Sequence, residues 1–194
     1  MCSSDLLPPG SAFLRGRVAE VLLPAAASHD PVRARQLADS IADPGWRALA
    51  LARLAGIARQ RGESGEGREL ASQALDLAQA HAATPALEAL AKFWAETDPR
   101  KGVDIALGIG ENVARVRALL GVARVADRHQ QAAPAAWALY LAEEALSHFS
   151  AQQAIDKIGL LGDMGQEWSA RDETQSRRFF QKGAEAAQAA APGS

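Results

Sequence analysis

Cysteine, aromatics and long apolar runs are all scarce in this chain. Its 194 residues include one cysteine and one tyrosine, and aromatic residues make up 5%. A lone Cys2 cannot close an internal disulfide, so the sequence fits a reducing compartment. No apolar run reaches the roughly 20 residues that a helix needs to span a bilayer. The opening Met1-Cys2-Ser3-Ser4-Asp5 lacks the charged and long apolar regions of a signal peptide. Cys2 therefore does not read as a lipid anchor, and the expected location is cytoplasmic with no membrane partner. A net charge of −2 and a pI near 6.1 exclude the strongly basic field of a general nucleic-acid binder.

Catalytic signatures are absent too. His29, His81, His129 and His148 fall at expected helix ends or turns, with no second ligand three or four residues on, so no metal is expected. Gly108, Gly110 and Gly121 are not followed by the Gly-Lys-Ser/Thr of a phosphate loop. Glu143 and Glu144 are adjacent, so on a helix they diverge rather than act as an acid and base. The expectation is a protein without turnover and without a cofactor.

What the chain has is alanine and an internal repeat. It is 48% apolar, much of that alanine, the strongest helix former, while β-branched residues are sparse. That composition predicts an all-α fold. The segment from Asp30 matches the segment from Asp98, 68 positions later. Asp30-Pro31 aligns with Asp98-Pro99, Ile41 with Ile109, Asp43 with Glu111 and Arg47 with Arg115. Leu54-Ala55 and Ile57-Ala58 align with Val122-Ala123 and Val125-Ala126. A repeat of this length made of helices predicts stacked units that bury each other's apolar faces.

Asp30-Pro31, Asp43-Pro44, Thr84-Pro85 and Asp98-Pro99 each place a capping oxygen before a proline, the strongest helix-start signals in the chain. A leading helix is expected from Ser11 to about Leu23, where Pro24 interrupts it. About nine more are expected at roughly 31–42, 44–61, 66–82, 85–96, 99–109, 112–129, 132–149, 151–163 and 172–190. Leu51, Leu54, Ala55 and Ala58 share one helical face, as do Val116, Leu119, Leu120 and Ala123. The chain divides into a lead and capping helix over 1–29, a repeat array over 30–165 and a C-terminal capping helix over 166–194.

Four helices in each 68-residue unit average about 34 residues per pair, the tetratricopeptide period. Gly62 followed by Ala71, Ala74-Leu75 and Ala78, and then Ala142-Glu143-Glu144-Ala145-Leu146, resemble a degenerate tetratricopeptide repeat. The resemblance covers roughly residues 30–165 and implies a right-handed superhelix of antiparallel pairs. Armadillo-like and HEAT-like pairs share the same apolar spacing.

Charge follows the repeat. Residues 31–61 sum to +4, residues 62–98 to −5, residues 99–129 to +3 and residues 130–170 to −4. Complementary flanks between stacked units, or solvated helix faces, would give this pattern. A sharper reading gathers Arg47 and Arg115, with Arg117, Arg124 and Arg128 on one helical face, into a ridge for acidic groups. Arg47 and Arg115 sit near helix starts, where the helix dipole disfavours a cation, so retention in both units implies a use. Trp137 and Tyr140 lie three residues apart and can share a surface; Trp168, in a polar stretch between helices, is expected to be partly exposed. These eight residues are the candidate contacts for a partner protein or peptide carrying acidic groups. Nucleic-acid binding by a HEAT-like arginine ridge, an enzyme on an α-superhelix, and self-assembly into a homo-oligomer are the alternatives.

Overall fold

The computed structural model describes residues 23–190, and these form an all-α chain. The described helices are α1 (Leu23–His29), α2 (Pro31–Asp39), α3 (Pro44–Gln60), α4 (Ser64–Ala80) and α5 (Thr84–Ala95). There follow α6 (Pro99–Leu107), α7 (Asn112–Arg128), α8 (Ala132–Ser147), a 3-10 turn (Ala151–Gln153), α9 (Ala154–Ser169) and α10 (Glu173–Ala190). The helix expected from Ser11 lies outside the described residues, apart from Leu23, which opens α1. The closing Pro192-Gly193 lies outside them as well.

Two compact units divide the chain, one up to Leu90 and one from Ala91. In the first, α3 packs along α4, and α1 lies against both α2 and α3. In the second, α7 packs along α8 and α9 along α10. Next-but-one neighbours also touch there, α6 against α8 and α7 against α9.

The 68-residue spacing reappears in the helix bounds. Helices α2 and α6 are both nine residues long, α3 and α7 are both seventeen, and each pair starts 68 positions apart. The predicted caps account for the starts. The Asp30 carboxylate accepts from the Arg33 N–H at 2.9 Å, and Asp98 accepts from Lys101 at 3.0 Å. Asp43 does the same for Trp46 at 2.9 Å. Each satisfies a donor that the first turn leaves without an intrahelical partner. Thr84 departs from the expectation: it is the first residue of α5 rather than its cap.

Helix ends repeat as well. The Glu63 N–H donates to the Ala58 carbonyl at 2.9 Å, and Gln131 donates to Ala126 at 2.9 Å. This six-to-one closure requires a left-handed residue just before it. Gly62 fills that place with φ +85°, whereas its counterpart Gln130 adopts φ +59° with a side chain to accommodate. Ala82 closes α4 in the same way at φ +47°.

The cores are built from alanine. Ala48, Ala55, Ala71, Ala74 and Ala78 are buried in the first unit; Ala114, Ala118, Ala123, Ala126, Ala135, Ala138 and Ala142 are buried in the second. Between α5 and α6 even alanine would not fit: a Cβ on Gly102 would come within 2.7 Å of the Ala91 carbonyl oxygen. The wider residues Val116, Leu119, Leu120 and Val122 complete the buried faces of α7, as the apolar spacing predicts.

Gln130 and Gly62 supply a matched test of this geometry. Relieving the left-handed side chain with Gln130→Gly should raise the unfolding free energy by about 0.5–1 kcal/mol, and Gly62→Ala should lower it by about 1 kcal/mol. Urea denaturation of both variants checks the signs.

Candidate functional site

Arg47 and Arg115 have a common task. The Arg47 Nε donates to the Ile41 carbonyl at 2.9 Å, and the Arg115 Nε donates to the Ile109 carbonyl at 2.9 Å. Both side chains are half-buried and reach back from the start of a long helix to the turn after a short one. A guanidinium there meets main-chain carbonyls of the turn itself, which offsets the unfavourable dipole of its own helix. The retained cation thus has a use inside each unit, as a pin for the turn.

The arginines of α7 divide differently. Arg124 bridges to α9: its Nε donates to Glu167 Oε1 at 2.6 Å, and its Nη2 lies 4.0 Å from Asp163. One turn farther along the same pair of helices, Asp127 on α7 is ion-paired with Arg171, just after α9. The basic block over 99–129 and the acidic block over 130–170 therefore meet in part as complementary helix flanks. Arg117 and Arg128 are exposed and make no hydrogen bond or ion pair within the described residues.

Between α7 and α9 lies an open groove of about 350 Å³, lined by Val113 and Arg117 on one side and Ile155, Asp156, Gly159, Leu160 and Asp163 on the other. Ile155 is 83% exposed at its mouth. Nothing comes within 4 Å of a Cβ built on Gly159, so the hollow extends to the α9 backbone. A cation, two carboxylates and apolar walls on rigid helices can position a ligand by charge and shape.

Trp137 and Tyr140 do share an exposed surface on α8, at 39% and 57% exposure. Trp168 corrects the expectation made for it. It is 6% exposed, because α9 does not stop near residue 163 but runs on to Ser169. Leu161, Met164, Gly165 and Trp168 fall at i, i+3, i+4 and i+7, a buried helical face that the polar residues between them obscured. Tyr140 packs its ring against Trp168, with centroids 5.5 Å apart and planes at 66°, so the structure brings these two predicted residues together. Phe93 and Trp94 are core residues in an edge contact at 5.6 Å, and the Lys101 ammonium lies over the Trp94 ring. On α10, Phe179 is fully buried and Phe180 about half exposed, while Arg178 and Lys182 both donate to Glu143 on α8, at 2.7 and 3.0 Å.

Ile155 and Gly159 were missed by sequence reasoning. Gly159 carries no side chain chemistry, and Ile155 reads as an ordinary apolar position of a short helix. Among the described residues no group of three or more His, Cys, Asp or Glu could hold a metal ion, and no helix is long and apolar enough to cross a membrane. No protein-family model, curated protein or solved structure significantly matches this chain.

The arginine roles separate by energy. Arg47→Ala and Arg115→Ala should each cost about 1.5–3 kcal/mol, since each leaves a half-buried turn without its charged donor. Arg124→Ala, which removes a partly exposed pair and leaves the 15% exposed Glu167 side chain without it, should cost about 1 kcal/mol. Equilibrium unfolding of the three variants measures the difference.

Proposed function

We propose that the chain is a non-enzymatic interaction module of the helical-repeat kind, tetratricopeptide-like or HEAT-like, that binds a partner protein or peptide in the cytoplasm. The observation that carries this reading is the groove between α7 and α9, where the highly exposed Ile155 lines the same hollow as Arg117, an arginine with no hydrogen bond or ion pair among the described residues. An apolar residue that exposed, next to a cation and carboxylates held in water, is stable but gains from being covered. Trp137 and Tyr140 add amphipathic contact area on α8, of the residue types enriched at binding hot spots. Repeat architectures commonly use such surfaces for recognition by shape and charge.

The arginine ridge contracts accordingly. Arg47 and Arg115 serve the turns and Arg124 serves the α7–α9 junction, which leaves Arg117 and Arg128 for a partner. Assembly factors, adaptors and regulatory subunits share these features.

Affinity capture from the source lysate tests the reading, comparing the intact chain with Ile155→Ser/Arg117→Gln after a circular-dichroism check of fold. One or more proteins retained by the first and depleted in the second by about tenfold or more is the expected result, since a central anchor contributes 2 kcal/mol or more. Identical protein profiles overturn it. Nucleic acid retained and released by moderate salt would favour the ridge alternative instead.

A further inference from the structure

The charged contacts between α7 and α9 have a register, and it breaks at one place. Arg124 meets Glu167 at 2.6 Å and approaches Asp163 at 4.0 Å. Seven residues is close to two helical turns, so a shift of seven on both helices leads to the equivalent set of positions. There Arg117 stands for Arg124 and Asp156 for Asp163, but Leu160 stands for Glu167. The residue that supplies the short ion pair in one set is thus an apolar, 5% exposed leucine in the other. Arg117 is left exposed, with no hydrogen bond or ion pair among the described residues, at the groove that begins at the bare Gly159 backbone.

We propose that Arg117 is the receptor for a single carboxylate, from an aspartate or glutamate of a partner protein segment, which completes this interrupted set of contacts. The inference rests on the reading of the chain as an interaction module and names the chemistry of its partner. Charge around the groove limits that chemistry. Asp156 and Asp163 line it together with Arg117, and Asp163 is only loosely held by Arg124. One carboxylate gains a bidentate guanidinium partner. A polyphosphate or nucleic-acid backbone would bring further negative charge against two acidic groups, a repulsive element that works against such ligands. A basic residue near the ligand carboxylate would find Asp156. Val113 and, above all, the exposed Ile155 offer the same segment an apolar contact. The favoured occupant is therefore a mixed-charge, partly apolar peptide segment.

Two experiments on the full chain decide the matter. The first needs no ligand. Gly159→Glu places a carboxylate in open space beside Arg117, whereas Gly159→Gln adds the same bulk and helix propensity without charge. The new carboxylate also lies three residues from Asp156 and four from Asp163 on α9, so the readout is the Glu-minus-Gln difference in melting temperature, with Arg117 present and with Arg117→Gln. That difference should fall when the cation is removed; an unchanged difference would show that Arg117 does not accept a carboxylate in the groove. In the second, a random 12-residue peptide phage library is selected on the intact protein. Selected peptides should be enriched in Asp or Glu with a nearby Lys or Arg, and their synthetic forms should bind Arg117→Gln and Gly159→Glu about tenfold more weakly or worse. Peptides that lack acid enrichment, or bind both variants undiminished, overturn the carboxylate receptor while leaving the interaction module standing. A library that yields no binder above background overturns both.

Discussion

Alanine at the helix contacts is the constraint from which the remaining features follow. Where the buried positions are alanine and glycine, helices approach closely and little room is left between them for long side chains. Gly102 marks the limit, since even a methyl group there would collide with the Ala91 carbonyl. Long polar residues are displaced to the flanks, and there the arginines must find a carbonyl, a carboxylate or water. A core of larger residues would separate the helices and weaken the reach of Arg124 to Glu167 across the α7–α9 junction.

One residue type then takes three roles according to the atoms in reach. At Arg47 and Arg115 the acceptors are backbone carbonyls of a turn, and the guanidinium acts as a structural pin in each unit. At Arg124 the acceptor is a carboxylate on the neighbouring helix. At Arg117 the equivalent acceptor position holds Leu160, and the guanidinium stays in water over a hollow. The first role stabilises a half-buried backbone, the second is only partly screened by solvent, and the third leaves the charge in water. Exposed arginine beside exposed isoleucine has little to contribute to folding.

Much of the fold was legible in the sequence. Asp-Pro dipeptides marked the starts of α2, α3 and α6, and the 68-residue alignment anticipated helices of equal length in both units. The features that escaped share a cause. Helix α1 takes in Pro24, read from sequence as an interruption, and its alanines have no apolar period to reveal it. The last turns of α9 were hidden because Gln166 and Glu167 stand between Gly165 and Trp168, which complete the buried face. Arg47 and Arg115 were recognised as unusual, but their acceptors are main-chain carbonyls, which carry no sequence signature. The groove was invisible for a related reason: it exists where Gly159 has no side chain and Leu160 is not an acid. Local signals that name a side chain were readable, and those that depend on an empty space or a backbone atom were not.

The division of the arginines into held and free groups is the central claim, and it can be read directly from the side-chain Nε–H resonances of the assigned, nitrogen-15-labelled protein. Hydrogen exchange of those protons with water should be slowed at Arg47, Arg115 and Arg124, whose Nε atoms each donate to an acceptor. Arg117 and Arg128 should exchange at the rate of free arginine. Protection at Arg117, or unprotected Nε–H groups at both Arg47 and Arg115, would contradict the account.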